Sequence, residues 1–265
     1  MTEHIQQGTW INSLRDPSAC RVGKPRTYGI TMILDKGLGI RHFTDLIETS
    51  ADHIDYIKLG FGTAALYPPT VLEKKLSLAI EHDLRLYPGG TFFEVAYLQG
   101  KVDSYFEQIK QWGFETVEIS DGTITLSRQE RDYFIEKAKD FGFEVITECG
   151  KKIQGSSLEL MEITDCLFQD LHAGAKYMIV EGRESGENVG LYNSSGEIDK
   201  DVLTQIQESF KNHLPSLIWE TPKKQQQAAF IQAFGPNINL GNIAADEVFA
   251  LEALRRGLRS DTMEI

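Results

Sequence analysis

Cysteine is scarce in this chain and wrongly spaced for structural chemistry. The three cysteines, Cys20, Cys149 and Cys166, are few, widely spaced and odd in number and form no CxxC pair, so neither a disulfide framework nor a cysteine zinc site is suggested. Basic residues are also short, 27 Lys plus Arg against 39 Asp plus Glu, for a formal net charge of −12. With no basic patch to offset that charge, nucleic acid and anionic membranes are not expected partners. No apolar run approaches the about 18 residues of a membrane span. Met1 to Gln7 has neither the basic nor the apolar region of a signal peptide, so a reducing cytoplasm is the expected compartment. No GxGxxG turn follows the first apolar segment, which argues against a dinucleotide fold. Of the six histidines, His42, His53, His82, His172 and His213 fall in expected helices or connections, so a histidine zinc site is not expected.

What the chain does have is a regular alternation. Eight short apolar segments begin near Gly29, Ile54, Asp83, Glu115, Phe143, Lys176, Ser216 and Asn237. Amphipathic stretches lie between them, among them Val71 to His82, Ser127 to Phe141 and Ser157 to Ala173. Ser127 and Glu130 have the spacing of a capping box. Gly113, Gly142 and Gly174 each stand between a helical stretch and the next strand, where a left-handed cap is needed. Alternating β and α segments require a parallel sheet, and eight strands favour closure. The expected fold is an α/β (β/α)8 TIM barrel in one domain, residues 26–265, with residues 1–25 as an extension packed across one end. At 265 residues the chain fits one such barrel.

In this fold the active site lies at the C-terminal ends of the strands. Glu148, Glu181 and Glu220 end three successive strands, and Asp35 ends the first. Such oxygen donors suit Mg2+, which keeps some waters and also binds substrate oxygens. Lys36, Lys58 and Lys151 alternate with them around the rim. Metal, lysine and carboxylate together suit chemistry through an enolate or aci-carboxylate, with a lysine moving the proton. Some of these charges are equally accounted for by a structural ion-pair network, and Cys149 by a buried core thiol. Gly241 and Asn242 follow the last expected strand, where backbone N–H groups bind phosphate in many barrels; an ordinary turn capped by Asn fits equally well. Arg183 offers a guanidinium fork for phosphate or sulfonate.

Several stretches resemble the phosphosulfolactate synthase family: Leu34 to Gly37, Asp55 to Thr63, Tyr87 to Glu94, Val117 to Gly122, Glu148 to Lys152, Asn239 to Ile243 and Leu254 to Thr262. The likeness runs from about Pro25 to Thr262. It implies a Mg2+-dependent lyase-type enzyme that adds sulfite to C3 of phosphoenolpyruvate and protonates C2, giving (2R)-phospho-3-sulfolactate for sulfolactate or coenzyme M synthesis. On that resemblance Lys151 is the expected acid, with Lys58 second. Glu148, Glu181, Glu220 and Asp35 are the expected metal ligands. Lys36, Arg183 and the backbone of Gly241 and Asn242 are expected to meet phosphate or sulfite. The resemblance extends to heat-stress-associated plant proteins, so a non-catalytic barrel acting through protein partners is one alternative. Another Mg2+-assisted enolate lyase or aldolase on a phosphorylated three-carbon substrate is the other. A homo-oligomer is compatible with all of these.

Overall fold

The structure, a computed structural model, describes residues 10–152 and 158–263. Its strands are β1 (Thr31–Asp35), β2 (Tyr56–Leu59), β3 (Arg85–Pro88), β4 (Thr116–Ile119), β5 (Glu144–Cys149), β6 (Tyr177–Val180), β7 (Leu217–Glu220) and β8 (Leu240–Ala244). The helices are α1 (Asn12–Arg15), α2 (Ile40–Ser50), α3 (Pro69–Glu81), α4 (Gly90–Leu98), α5 (Val102–Trp112), α6 (Arg128–Asp140), α7 (Leu160–Ala173), α8 (Lys200–Phe210), α9 (Lys224–Phe234) and α10 (Val248–Arg255). All strand pairs are parallel, in the order β3-β2-β1-β8-β7-β6-β5-β4. This is the expected (β/α)8 barrel, nearly closed, with one seam between β3 and β4 that no strand ladder bridges.

Each expected strand is present, because β-branched and aromatic residues there alternate between two buried faces. Inward positions supply a central cluster of Met32, Tyr56, Tyr87, Ile146, Tyr177 and Ile218 with their neighbours. Outward positions such as Ile33, Ile57, Val117, Val145 and Met178 join the shell packed against the helices. The Ser127–Glu130 capping box opens α6 as its spacing predicted. Gly113, Gly142 and Gly174 all take positive φ, which a Cβ would strain. In the described part of the leading segment, Arg21 pairs with Glu252 of α10 at 3.1 Å and donates to the Gly29 carbonyl, across the N-terminal ends of the strands.

The last strand departs from expectation. It runs on to Ala244, so Gly241 and Asn242 lie within the ladder and not in a loop after it. The β1–β8 register shifts between Thr31↔Leu240 and Ile33↔Ile243, leaving one extra residue on β8. Asn242 has φ +60, and the added residue makes a β-bulge there.

A buried arginine ties the helical layer to β5. Arg131 of α6 pairs with Asp170 of α7 at 2.7 Å, with Asp121 at 2.9 Å, and donates to the Glu148 carbonyl. Burial alone would raise the Asp170 carboxyl, but the Arg131 guanidinium outweighs it and holds that carboxyl below its usual range. A carboxyl depressed in the folded state stabilises above its unfolded pKa and loses that contribution as pH falls through the folded value. Asp170→Asn is therefore expected to cost about 2 kcal/mol near neutral pH, because it takes one of two carboxylates from a buried guanidinium and leaves it Asp121 and the Glu148 carbonyl. In urea titrations the gap from the unaltered protein should narrow as pH drops below about 4.

Candidate active site

Period-two alternation stacks a charged layer on the apolar interior. Lys58 stands two residues after Tyr56, Glu148 after Ile146, Glu181 after Ile179 and Glu220 after Ile218, so each faces inward above its apolar neighbour. Glu118 completes the layer from β4 and is fully buried. The Lys58 ammonium lies 3.0 Å from Glu118 Oε1, 2.9 Å from Glu148 Oε2 and 3.5 Å from Glu220 Oε1. A second ammonium, Lys152, lies 2.6 Å from Glu148 Oε1 and 3.7 Å from Glu94 Oε1. Above this layer opens a cavity of about 300 Å³, lined by Lys58, Phe61, Lys152, Glu181, Arg183 and Asn242 among others.

Five carboxyls, those of Glu94, Glu118, Glu148, Glu181 and Glu220, thus gather around two ammonium groups, and the excess negative charge divides them. Burial would raise Glu148, but Lys152 and Lys58 pull it well below the ordinary carboxylate range. Glu118 is pushed up to about 7 by burial, with Lys58 opposing. Glu181 is raised well above its usual value by burial and by the charges of Glu220 and Glu148. Burial opposes the charge of Lys58, yet Glu118, Glu148 and Glu220 outweigh it and hold the ammonium well above its usual pKa. Lys152 is raised in the same way, with Glu148 outweighing burial. Both lysines therefore carry their protons at neutral pH.

The expected site residues divide. Glu148, Glu181, Glu220, Lys58 and Arg183 line the cavity together. Lys36 stands at the rim, half exposed and 3.5 Å from Glu184. Asp35 does not reach the cavity. As an outward residue of β1 it is fully buried under α3, with Lys75 at 2.5 Å, the Tyr67 hydroxyl at 2.9 Å, and the backbone N–H groups of Gly37 and Leu38. Those partners leave no oxygen for a metal. Lys151 also turns away: its ammonium donates to the carbonyls of Asp121 and Ile124 and sits 3.1 Å from Asp121 Oδ2. Lys152, its neighbour, takes the cavity. Gly241 lies inside the barrel, where a Cβ would come within 2.5 Å of Met32 Cε and 2.9 Å of Ile218 Cγ2, so a larger residue there would have to displace both side chains. Asn242 reaches the cavity wall with its side chain, whose Nδ2 donates to the Arg183 carbonyl.

The donor set fits Mg2+ in a restricted way. Among the described residues no three acidic, His or Cys side chains form a ready cation cage. The point where Glu118, Glu148 and Glu220 converge holds the Lys58 ammonium. Glu181 differs: its Oε1 accepts from the Arg183 N–H at 2.5 Å, while Oε2 is buried with no hydrogen-bond partner among the described residues. Glu220 adjoins it, with Oε2 accepting from the Gly182 N–H at 3.0 Å. Ligation through one or two carboxylates, completed by water and substrate oxygens, is the usual habit of Mg2+.

Comparison with known proteins decides the family. A family model described as (2R)-phospho-3-sulfolactate synthase (ComA) matches residues 19–261. The chain belongs to the phosphosulfolactate synthase family. It is 44% identical over 245 residues to the phosphosulfolactate synthase of Methanothermobacter thermautotrophicus, covering 92% of this chain and 94% of that one. To the phosphosulfolactate synthase of Bacillus subtilis it is 38% identical, covering 91% and 95%. The Arabidopsis thaliana protein HEAT-STRESS-ASSOCIATED 32 is more distant, at 21% identity over 89% of this chain and 88% of its own. Among solved structures, a dihydrodipicolinate synthase from Agrobacterium tumefaciens aligns with TM-score 0.57 at 8% identity, covering 90% of this chain and 78% of that one, a likeness of fold alone. The family name implies an enzyme, and among the described residues no helix is long and apolar enough to cross a membrane.

Proposed function

We propose that this member of the family joins sulfite to phosphoenolpyruvate with Mg2+, and that Lys152 supplies the proton. The observation that carries this reading is the pair of ammonium groups, Lys58 and Lys152, set among carboxyls on the floor of a cavity of small-ligand size. Sulfite sulfur forms a bond to C3, the C2–C3 π pair moves onto C2 and the carboxylate, and the resulting aci-carboxylate takes a proton at C2. No bond of the phosphate ester breaks. Lys152 is held protonated and close to the cavity, as an acid for that carbon must be. Lys58, more deeply enclosed and held by three carboxylates, supplies fixed positive charge. Glu181, with Glu220 beside it, would hold the metal, whose charge would stabilise the developing carboxylate dianion. Arg183 and Lys36 at the cavity mouth suit the phosphate and sulfonate groups.

The test mixes the purified protein with phosphoenolpyruvate, sulfite and Mg2+, with and without EDTA, and reads phosphosulfolactate by mass spectrometry. Product that requires sulfite and disappears with EDTA is the expected result. Product formed with another nucleophile, and none with sulfite, would reassign the reaction to a different enolate lyase. No product and no phosphoenolpyruvate binding would favour the non-catalytic reading.

A further inference from the structure

Glu94 is an acidic side chain, almost fully buried, that the reaction above does not use. It lies in α4, the helix that crosses the open seam between β3 and β4. Its Oε1 accepts from the Ser120 hydroxyl at 2.6 Å. Its Oε2 accepts from the Thr123 N–H at 3.1 Å and also from the Thr123 hydroxyl. One carboxylate thus holds both ends of the Ser120–Thr123 loop after β4. Lys152 lies on the middle of that loop: its N–H donates to the Gly122 carbonyl at 3.0 Å, and its stem covers Gly122 so closely that a Cβ there would come within 2.9 Å of Lys152 Cγ and Cδ. The Lys152 ammonium also reaches within 3.4 Å of Ser120 Oγ and 3.7 Å of Glu94 Oε1.

We infer that Glu94 is a positioning residue for Lys152: it clamps the loop on which that lysine lies and so sets where its ammonium enters the cavity. The geometric part stands on contacts alone; its consequence for turnover rests on the proposed role of Lys152. A purely architectural clamp is less well matched, because the seam has its own tie at the first residue of the same helix. There the Gly90 N–H donates to Glu118 Oε1 at 2.7 Å. Glutamine does not reproduce Glu94: it lacks the charge that faces the Lys152 ammonium at 3.7 Å, and if its oxygen keeps the Thr123 donors its NH2 must donate to Ser120 Oγ and turn that hydroxyl toward Glu148.

The test labels surface amines with trinitrobenzenesulfonate and maps the modified lysines by mass spectrometry, in the unaltered protein and in Glu94→Gln and Thr123→Val. Lys74, exposed, and Lys75, fully buried, are adjacent internal references on α3. Expected is a several-fold faster labelling of Lys152 in Glu94→Gln, a smaller rise in Thr123→Val, and no change at Lys74 or Lys75. In turnover, kcat should fall by about tenfold or more in Glu94→Gln while KM for phosphoenolpyruvate stays within about threefold, the mark of a displaced proton donor. Unchanged Lys152 labelling in both variants would overturn the inference. So would Lys75 and Lys152 rising together, which would make Glu94 a support of the whole fold. Should Glu94→Gln not fold, Thr123→Val decides by the same criteria. If the unaltered protein does not form phosphosulfolactate, the labelling result still judges the clamp, while the function proposed above fails separately.

Discussion

Replacing Lys58 with methionine is expected to destabilise the fold by about 3–5 kcal/mol and to abolish turnover. The side chain is enclosed, and its charge is the common partner of Glu118, Glu148 and Glu220. Methionine matches its length but leaves those carboxylates facing one another in a dry interior. The loss should depend on pH in a defined direction. Without the ammonium, burial of Glu118 is no longer opposed by Lys58, so its folded-state pKa, already about 7, moves further above the unfolded value of about 4.3. A group raised on folding stabilises below its unfolded pKa, and that contribution is lost as pH rises through the folded one. Urea denaturation should thus find Lys58→Met most unstable at alkaline pH and partly restored near pH 5. Adding Glu118→Gln should restore part of the stability at pH 8, because it removes one of the repelling charges. Strictly additive effects of the two substitutions would mean that Lys58 and Glu118 are not coupled as their 3.0 Å contact requires.

The barrel was legible because one simple pattern, apolar strand, polar loop, amphipathic helix, glycine, recurs around the chain. The charged layer was legible for the same reason: Glu148, Glu181 and Glu220 each close a strand whose preceding alternate residue is apolar, and that parity carries them to the interior. The same rule does not exclude Asp35, because its alternate neighbour Ile33 is apolar too and only the fold shows which face that residue takes. Ile33, two residues earlier, packs toward the helices, so Asp35 does too, and it meets Lys75 there.

What the sequence could not reveal lies where parity stops. After Cys149 the chain leaves the strand through Gly150 at φ +124, and nothing local says whether Lys151 or Lys152 then turns inward. The answer is set by remote groups, the Asp121 and Ile124 carbonyls that hold one lysine and the Gly122 surface that seats the other. The bulge at Asn242 is similarly silent in the sequence, since it is a mismatch of register between β8 and β1 and asparagine is compatible with several turns. Glu118 and Glu94 belong to stretches that resemble the family, yet their roles appear only when Gly90 and Ser120 are brought against them from across the seam.

The two adjacent lysines provide a sharp discrimination. Lys152→Ala is expected to lower kcat by about 10²–10⁴-fold, the usual worth of a positioned acid. Lys151→Ala should cost less than about tenfold, because its ammonium lies on two carbonyl oxygens beside the cavity and supports the Asp121 loop from outside. Charge alone should not restore the first variant. Lys152→Arg keeps a cation near Glu148, but a guanidinium does not give up its proton in this pH range and its planar fork cannot sit where the lysine stem covers Gly122. Small primary amines added to Lys152→Ala should recover part of the rate, with a dependence on the amine's size, while leaving Lys151→Ala unaffected. Steady-state rates with phosphoenolpyruvate and saturating sulfite measure all of these. A Lys151→Ala protein that is folded and inactive beside a Lys152→Ala protein that turns over normally would return the proton to Lys151, and would require the loop from Gly150 onward to rearrange when substrate binds.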